Sequence, residues 1–275
     1  MERSISIGIM QGRLSDKIGE PLQSFPTKDW RKEFLYAEKL GFDKIEWLYD
    51  GINDEKNPIK SDFGVDEIIS LSENHKVKVN SLCAHKFLDG SLFDNNFSEH
   101  AKKDLSELLF WSTKANIDHV ILPIMDSMSI NTDEKKEKLK NILDDVLAIN
   151  SPKILLECDL PAVDVKNFID TLSANNVKVL YDLGNATALG FDIKEELVFL
   201  NDMIGEIHVK DRFFNGGTSS SLGMADTNFE LAAKTLSKLS WSGSVVLETP
   251  TFNNSYTEAK KNITYTKNWV DLILS

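Results

Sequence analysis

The chain has 275 residues, 43 acidic against 31 basic side chains, a formal charge of -12, and 41% hydrophobic with 27% charged residues. That is the composition of a folded protein with a substantial core, not of a disordered chain. The acidic balance argues against nucleic acid and anionic membrane surfaces, both of which select basic patches.

A short β-branched run followed by a segment of helical periodicity recurs eight times, the alternation of parallel α/β architecture. The first strand spans Ile5–Met10 and leads to a helix over 29–40 that Gly41 ends, because glycine enters the left-handed region without strain. Strand Lys44–Leu48 follows, then a helix over 66–74, a strand over 77–83, an amphipathic helix Ser98–Lys114 and a strand over 119–123. Thr132 and the acidic residues after it make an N-cap pattern for a helix over 132–149, which Pro152 separates from a strand over 153–157. Next come a helix over 163–173, strand Val177–Asp182, helix Ile193–Leu200 and a strand over 204–210. A glycine- and serine-rich loop, a helix over 228–239, a strand over 244–248 and a helix over 257–274 complete the pattern.

No Pro-rich or Gly/Ser-rich linker divides the chain, so one domain over residues 1–275 is expected. Eight βα units without a hairpin signal favour a closed (β/α)8 (TIM) barrel over an open doubly wound sheet. The opening MERSISIGIM lacks a basic n-region and a small-residue cleavage site, and no apolar run reaches the roughly 18 residues of a spanning helix. A soluble cytoplasmic protein is expected. Cys83 and Cys158 lie in separate apolar segments and read as small buried residues rather than a disulfide.

In a barrel of this kind the chemistry sits at the C-terminal strand ends, where the βα loops open. Strands five to eight end in ILLECD, VLYDLGN, EIHVKDR and VVLETP, which puts Glu157, Asp182, His208 and Glu248 at equivalent positions. Acidic residues are depleted in strands, and His208 is one of only 5 histidines, so the coincidence points to a site. Leu155 and Glu157, Leu180 and Asp182, and Val246 and Glu248 share faces at period two and can all point inward. Three carboxylates in a partly dry mouth repel one another, and a divalent cation resolves this. Two Glu, one Asp and one His suit Mn²⁺ first, with Mg²⁺, Co²⁺ and Zn²⁺ as the other choices. Cys158 falls on the opposite face from Glu157 and is excluded as a ligand. The competing reading of the four residues is a set of salt-bridged or solvated strand ends.

The loop after strand seven combines Lys210, Arg212, Gly216, Gly217, Thr218 and Ser219, the cations, small residues and hydroxyls that hold phosphate in many barrels. A surface loop whose Lys and Arg pair with Asp211 is the alternative. Lys210 shares a strand face with His208, and Arg13, beside Gly12 in the first βα loop, is a further anion-binding candidate. Glu46 and His85 end strands two and three and should border the mouth. Trp47, Phe87 and Phe213 could form an apolar wall there or pack barrel against helix. The Lys/Glu-rich run over 133–140 reads as a solvated helix face.

With these motifs in hand, the sequence resembles the sugar isomerase and epimerase branch of the xylose-isomerase-like barrels over essentially its whole length. The resemblance rests on SIGIMQGRL, GFDKIEWLYD, LLEC, LYDLGNA, IHVKDR with the following GGTSSSLG, and VVLETP. It implies one divalent metal ion held by Glu157, Asp182, His208 and Glu248, with Glu157 and Glu248 on opposite faces of the substrate as the acid/base pair. It also implies a metal-dependent sugar or sugar-phosphate epimerase or aldose-ketose isomerase, working through an enediolate whose charge the metal stabilises. Glu46 and His85 then become candidates for hydrogen bonds to sugar hydroxyls. Asn185 stands where many ketose 3-epimerases carry a histidine, and this D-x-G-N pattern is closer to the phosphopentulose 3-epimerases. The expected partner is a small-molecule sugar or sugar phosphate, with no nucleic acid and no membrane, and with a homodimer left open. A same-fold lyase or dehydratase and a non-catalytic sugar-binding barrel are the alternatives. The endonuclease branch, with three-metal sites and a DNA footprint, would call for more than the 5 histidines present.

Overall fold

The computed structural model describes residues 3–16, 21–52, 54–147, 152–251 and 254–275. The strands are β1 (Ile5–Met10), β2 (Lys44–Leu48), β3 (Lys78–Cys83), β4 (His119–Ile124), β5 (Lys153–Cys158), β6 (Val177–Asp182), β7 (Ile204–Val209), β8 (Asp211–Arg212), β9 (Ser219–Ser220) and β10 (Gly243–Leu247). The helices are α1 (Trp30–Leu40), α2 (Asp62–His75), α3 (Ser98–Lys114), α4 (Asp133–Val146), α5 (Ala162–Ile169), α6 (Leu183–Leu189), α7 (Ile193–Leu200), α8 (Phe229–Lys238) and α9 (Ser255–Leu274). Strands β1 to β7 and β10 pair in parallel, and β1 closes the sheet by pairing Met10 with Glu46 on one side and Ile9 with Leu247 on the other. The result is a closed eight-stranded (β/α)8 barrel, which removes the open-sheet alternative.

Both faces of the barrel wall are buried, as parallel strands require. The outer face packs on the helices, and Trp47 and Phe87 lie fully buried in that layer. They are barrel-to-helix packing, not a wall of the mouth, whereas Phe213 stands exposed on the loop beyond β7. The two cysteines are free: Cys83 belongs to the inner layer and Cys158 packs against the outer one.

The inner layer takes Met10, Leu48, Cys83, Ile121, Leu155, Leu180 and Val246 from seven strands. Strand β7 breaks the pattern by turning Glu206 and His208 into the barrel. Lys44 of β2, only 2% exposed, reaches across to form an ion pair with Glu206 and donates to Ser81 Oγ at 3.3 Å and Ser244 Oγ at 2.9 Å. Gly8 makes room for it, since a Cβ there would stand 2.6 Å from Lys44 Cγ. Removing one partner of a buried pair strands the other charge, so Lys44→Met is expected to destabilise the fold by about 3–5 kcal/mol in urea denaturation. A cost below about 1 kcal/mol would show that Glu206 does not depend on this ammonium.

The helix boundaries follow their caps. Ser61 Oγ accepts from Gly64 N–H at 3.1 Å and starts α2 earlier than periodicity suggests, and Thr132 caps α4 by accepting from Lys135 N–H at 3.3 Å. Gly41, at φ 77°, ends α1 as expected. Residues 148–149 of the helix expected over 132–149 lie outside the described residues. The helix expected over 163–173 stops at Ile169. Helix α6 and the β8–β9 ribbon stand where only strand end and loop are expected. Among the described residues, no helix is long and apolar enough to cross a membrane.

Candidate metal centre

Glu157, Asp182, His208 and Glu248 converge at one end of the barrel, each offering a ligand atom within 4.8 Å of the others. They are 7%, 5%, 0% and 5% exposed. The convergence follows from strand register: Asp182 pairs with His208 across β6 and β7, and Val246, two residues before Glu248, pairs with His208 across β7 and β10. His208 Nδ1 lies 3.1 Å from Glu248 Oε2 and 4.0 Å from Asp182 Oδ2. Lys210 Nζ bridges the same two oxygens, at 2.8 Å from Glu248 and 3.1 Å from Asp182. A positive charge therefore already sits among the carboxylates. The donor set, three carboxylates and an imidazole converging on one point, could hold a divalent cation.

The local sequence around Asp182 explains α6. Asp182 Oδ1 caps the helix by accepting from Asn185 N–H at 2.8 Å, which turns Oδ2 toward Lys210. Gly184 is required by close approach, because a Cβ there would lie 2.8 Å from the Lys210 carbonyl oxygen. Asn185 then donates from Nδ2 to Glu157 Oε1 at 2.8 Å and accepts at Oδ1 from Arg212 Nη1 at 2.7 Å. The two residues, Arg212 and Asn185, thus form a relay that orients Glu157.

Other expected contacts are also redirected. Glu46 does not border the mouth: it is fully buried beneath His208, with its Oε1 3.2 Å from Nε2, because its inward side chain lies one layer below the strand ends. Arg13 is buried as well; its Nη1 donates to Leu22 O at 2.7 Å and its Nη2 stands 4.0 Å from Glu248 Oε1, so it faces a carboxylate of the protein. In the loop expected to hold phosphate, the amides of Gly216 and Gly217 donate to Ala188 O at 2.7 Å and Phe213 O at 3.1 Å. Phe213 N–H donates to Thr218 O at 3.2 Å, and Ser219 pairs with Arg212 in the ribbon. His85 is partly exposed; burial lowers its imidazole below the usual range, against the pull of Glu248 and Asp50.

Three further residues also shape the site. Gln23 Nε2 donates to Glu248 Oε1. Glu33 of α1 accepts from Gly12 N–H at 3.0 Å and from Ser15 Oγ at 2.8 Å, fixing the loop that carries Arg13. Asp211 accepts from the N–H groups of Met224, Ala225 and Thr227 at 3.0, 3.0 and 3.1 Å, folding the chain after the ribbon back on β8. A buried acid in a helix pattern is the one signal that could have marked Glu33.

Burial raises Glu157 to about 8, with the Glu248 charge adding to the effect. Burial would raise Glu248 too, but Lys210, His208 and Arg13 hold it well below the carboxylate range. His208 is opposed by burial yet held above its usual range by Glu46 and Glu248.

A closed parallel barrel with inward carboxylates and an imidazole at its mouth defines a class of (β/α)8 proteins able to hold a metal ion. The chain belongs to the xylose isomerase-like TIM barrel family, whose sequence pattern matches residues 34–269. In structure it is similar to D-psicose 3-epimerase of Clostridium cellulolyticum H10, at 16% identity and TM-score 0.76 over 97% of this chain and 99% of that one. It is also similar to 3-keto-D-glucoside 4-epimerase of E. coli, at 14% identity and TM-score 0.71 over 96% and 100%. A xylose isomerase domain protein of Planctomyces limnophilus matches at 14% identity and TM-score 0.76 over 99% and 98%. At these identities the likeness is one of fold. No curated protein matches the sequence.

Proposed function

We propose that this protein is a metal-dependent sugar or sugar-phosphate epimerase or isomerase that moves a proton next to a carbonyl group. The observation that carries the reading is the convergence of Glu157, Asp182, His208 and Glu248 within 4.8 Å of one another. The four residues would hold one divalent cation, Mn²⁺ by preference for this oxygen-rich donor set. Such an ion, when bound, supplies Lewis-acid stabilisation to negative charge on substrate oxygens.

The chain's own groups do the rest. Glu157 on β5 and Glu248 after β10 come from different walls of the mouth, so a sugar carbon between them presents one face to each. One glutamate takes the proton from that carbon, the electron pair moves onto the carbonyl oxygen to give an enediolate, and the other glutamate returns a proton. Return to the opposite face of the same carbon gives the epimer; return to the neighbouring carbon, with the hydroxyl proton passing to the former carbonyl oxygen as the new carbonyl forms, gives the aldose-ketose pair. Asn185, braced by Arg212, keeps Glu157 aimed, and Gln23 and Arg13 do so for Glu248. Lys210, 12% exposed, is the cation placed to meet a substrate oxygen.

The test is a screen of ketoses and their phosphates in heavy water. Deuterium is expected to enter the substrate carbon with product mass otherwise unchanged. EDTA should abolish the exchange and added Mn²⁺ restore it. Exchange that survives chelation, or loss of one water from the product, would overturn the reading.

A further inference from the structure

Below the four converging side chains, the barrel interior holds a second polar group. Glu46, Glu206 and His208 place ligand-type atoms within 4.8 Å of one another. This trio is not a second cation site, because the Lys44 ammonium already pairs with Glu206 and donates to Ser81 and Ser244. What it leaves over is Glu46. Its two oxygens lie 3.2 and 3.3 Å from His208 Nε2, and Ser81 Oγ donates to Oε2 at 3.3 Å. The opposite ring nitrogen, Nδ1, faces Glu248 and Asp182.

We infer that Glu46 is the positioning residue of the metal centre: it holds the ring proton of His208 on Nε2 and thereby presents the Nδ1 lone pair to the cation. The assignment rests on the metal-dependent reading above. An imidazole ligates through an unprotonated nitrogen, and the hydrogen bond at the other nitrogen decides which one that is. A carboxylate at Nε2 also makes Nδ1 more basic. Glu46 is 0% exposed, so water does not compete for the contact, and β2 and β7 are both strands of the closed barrel, so both ends of the hydrogen bond are anchored in its wall. Ser81 Oγ, donating to Oε2 at 3.3 Å, holds Glu46 in this orientation. A fully buried Glu at the second strand thus acts on the site through His208, not by touching a sugar.

Two measurements test this. Titration calorimetry with Mn²⁺ is expected to show Glu46→Ala binding about 10–100-fold more weakly than wild type. Glu46→Gln, which keeps an oxygen for Nε2–H but no charge, should fall between the two. Far-UV circular dichroism and melting in EDTA verify that each variant is folded. In the wild type itself, loaded with Zn²⁺ and labelled with ¹⁵N-histidine, long-range NMR correlations should show His208 protonated at Nε2 and bare at Nδ1. Wild-type Mn²⁺ affinity in both folded variants, or a proton on Nδ1, would overturn the assignment and leave the proposed function standing. A wild-type protein that binds no Mn²⁺ would remove both.

Discussion

Glu157→Gln and Glu248→Gln are each expected to lower turnover by about 10²–10⁴-fold at saturating Mn²⁺, the usual contribution of a positioned acid or base. Glutamine keeps the shape of the side chain and an oxygen for Asn185 Nδ2 or Gln23 Nε2 to bond. What it removes is the capacity to carry the proton. Because a neutral amide is also a weaker ligand, each variant is to be compared at the metal concentration that saturates it, so that loss of metal is not mistaken for loss of chemistry. Deuterium wash-in at the substrate carbon is the direct readout. If either variant incorporated deuterium at the wild-type rate, the acid/base pair would be wrongly assigned, even with the metal ligands correct.

The second large effect is on metal affinity. Mn²⁺ binding is expected to strengthen by about tenfold per pH unit for each proton it displaces, up to about pH 8. Glu157 is the main source of this dependence, since its folded value, raised from 4.5 to about 8 by burial and by the Glu248 charge, means that the fold favours its protonated form. The stability this supplies is fully present below 4.5 and is lost as pH rises through about 8. His208, held above its usual range despite burial, loses a proton in the same direction. A divalent cation replaces those protons, so its stabilising effect grows across the window. The thermal shift given by saturating Mn²⁺ should be larger at about pH 7.5 than at about pH 5.5, with proton release in calorimetry. An affinity that stays flat between those values would mean that these two groups are not displaced by the ion.

The likeness to solved sugar epimerases extends over nearly the full length of each chain at 13–16% identity. Conservation of fold at that distance is what a barrel allows, because helices and loops outside the mouth tolerate replacement while the strand alternation persists. For that reason the side chains at the mouth, and not the neighbours, carry the proposed chemistry.

Strand alternation was legible residue by residue. Leu155 before Glu157 and Leu180 before Asp182 fix which face turns inward, because successive side chains in a strand must point to opposite sides. Caps were legible too: Thr132 and Gly41 start and stop their helices by local hydrogen bonding and local φ alone. Helix α6 was not, since seven residues are too few to show a 3.6-residue period. Depth inside the barrel was equally hidden. Glu46 and Glu157 look alike as acidic residues near strand ends, yet one lies under His208 and the other beside it, a difference set by how strands stagger on closure. The partners of Lys44, 162 residues away at Glu206, and of Asn185, 28 residues away at Glu157, likewise exist only once the sheet has closed. Local pattern therefore establishes strands, their inward faces and the residue types at the mouth. Long-range geometry assigns each polar side chain its partner, because a hydrogen bond is a fact about distance in space and not about spacing along the chain.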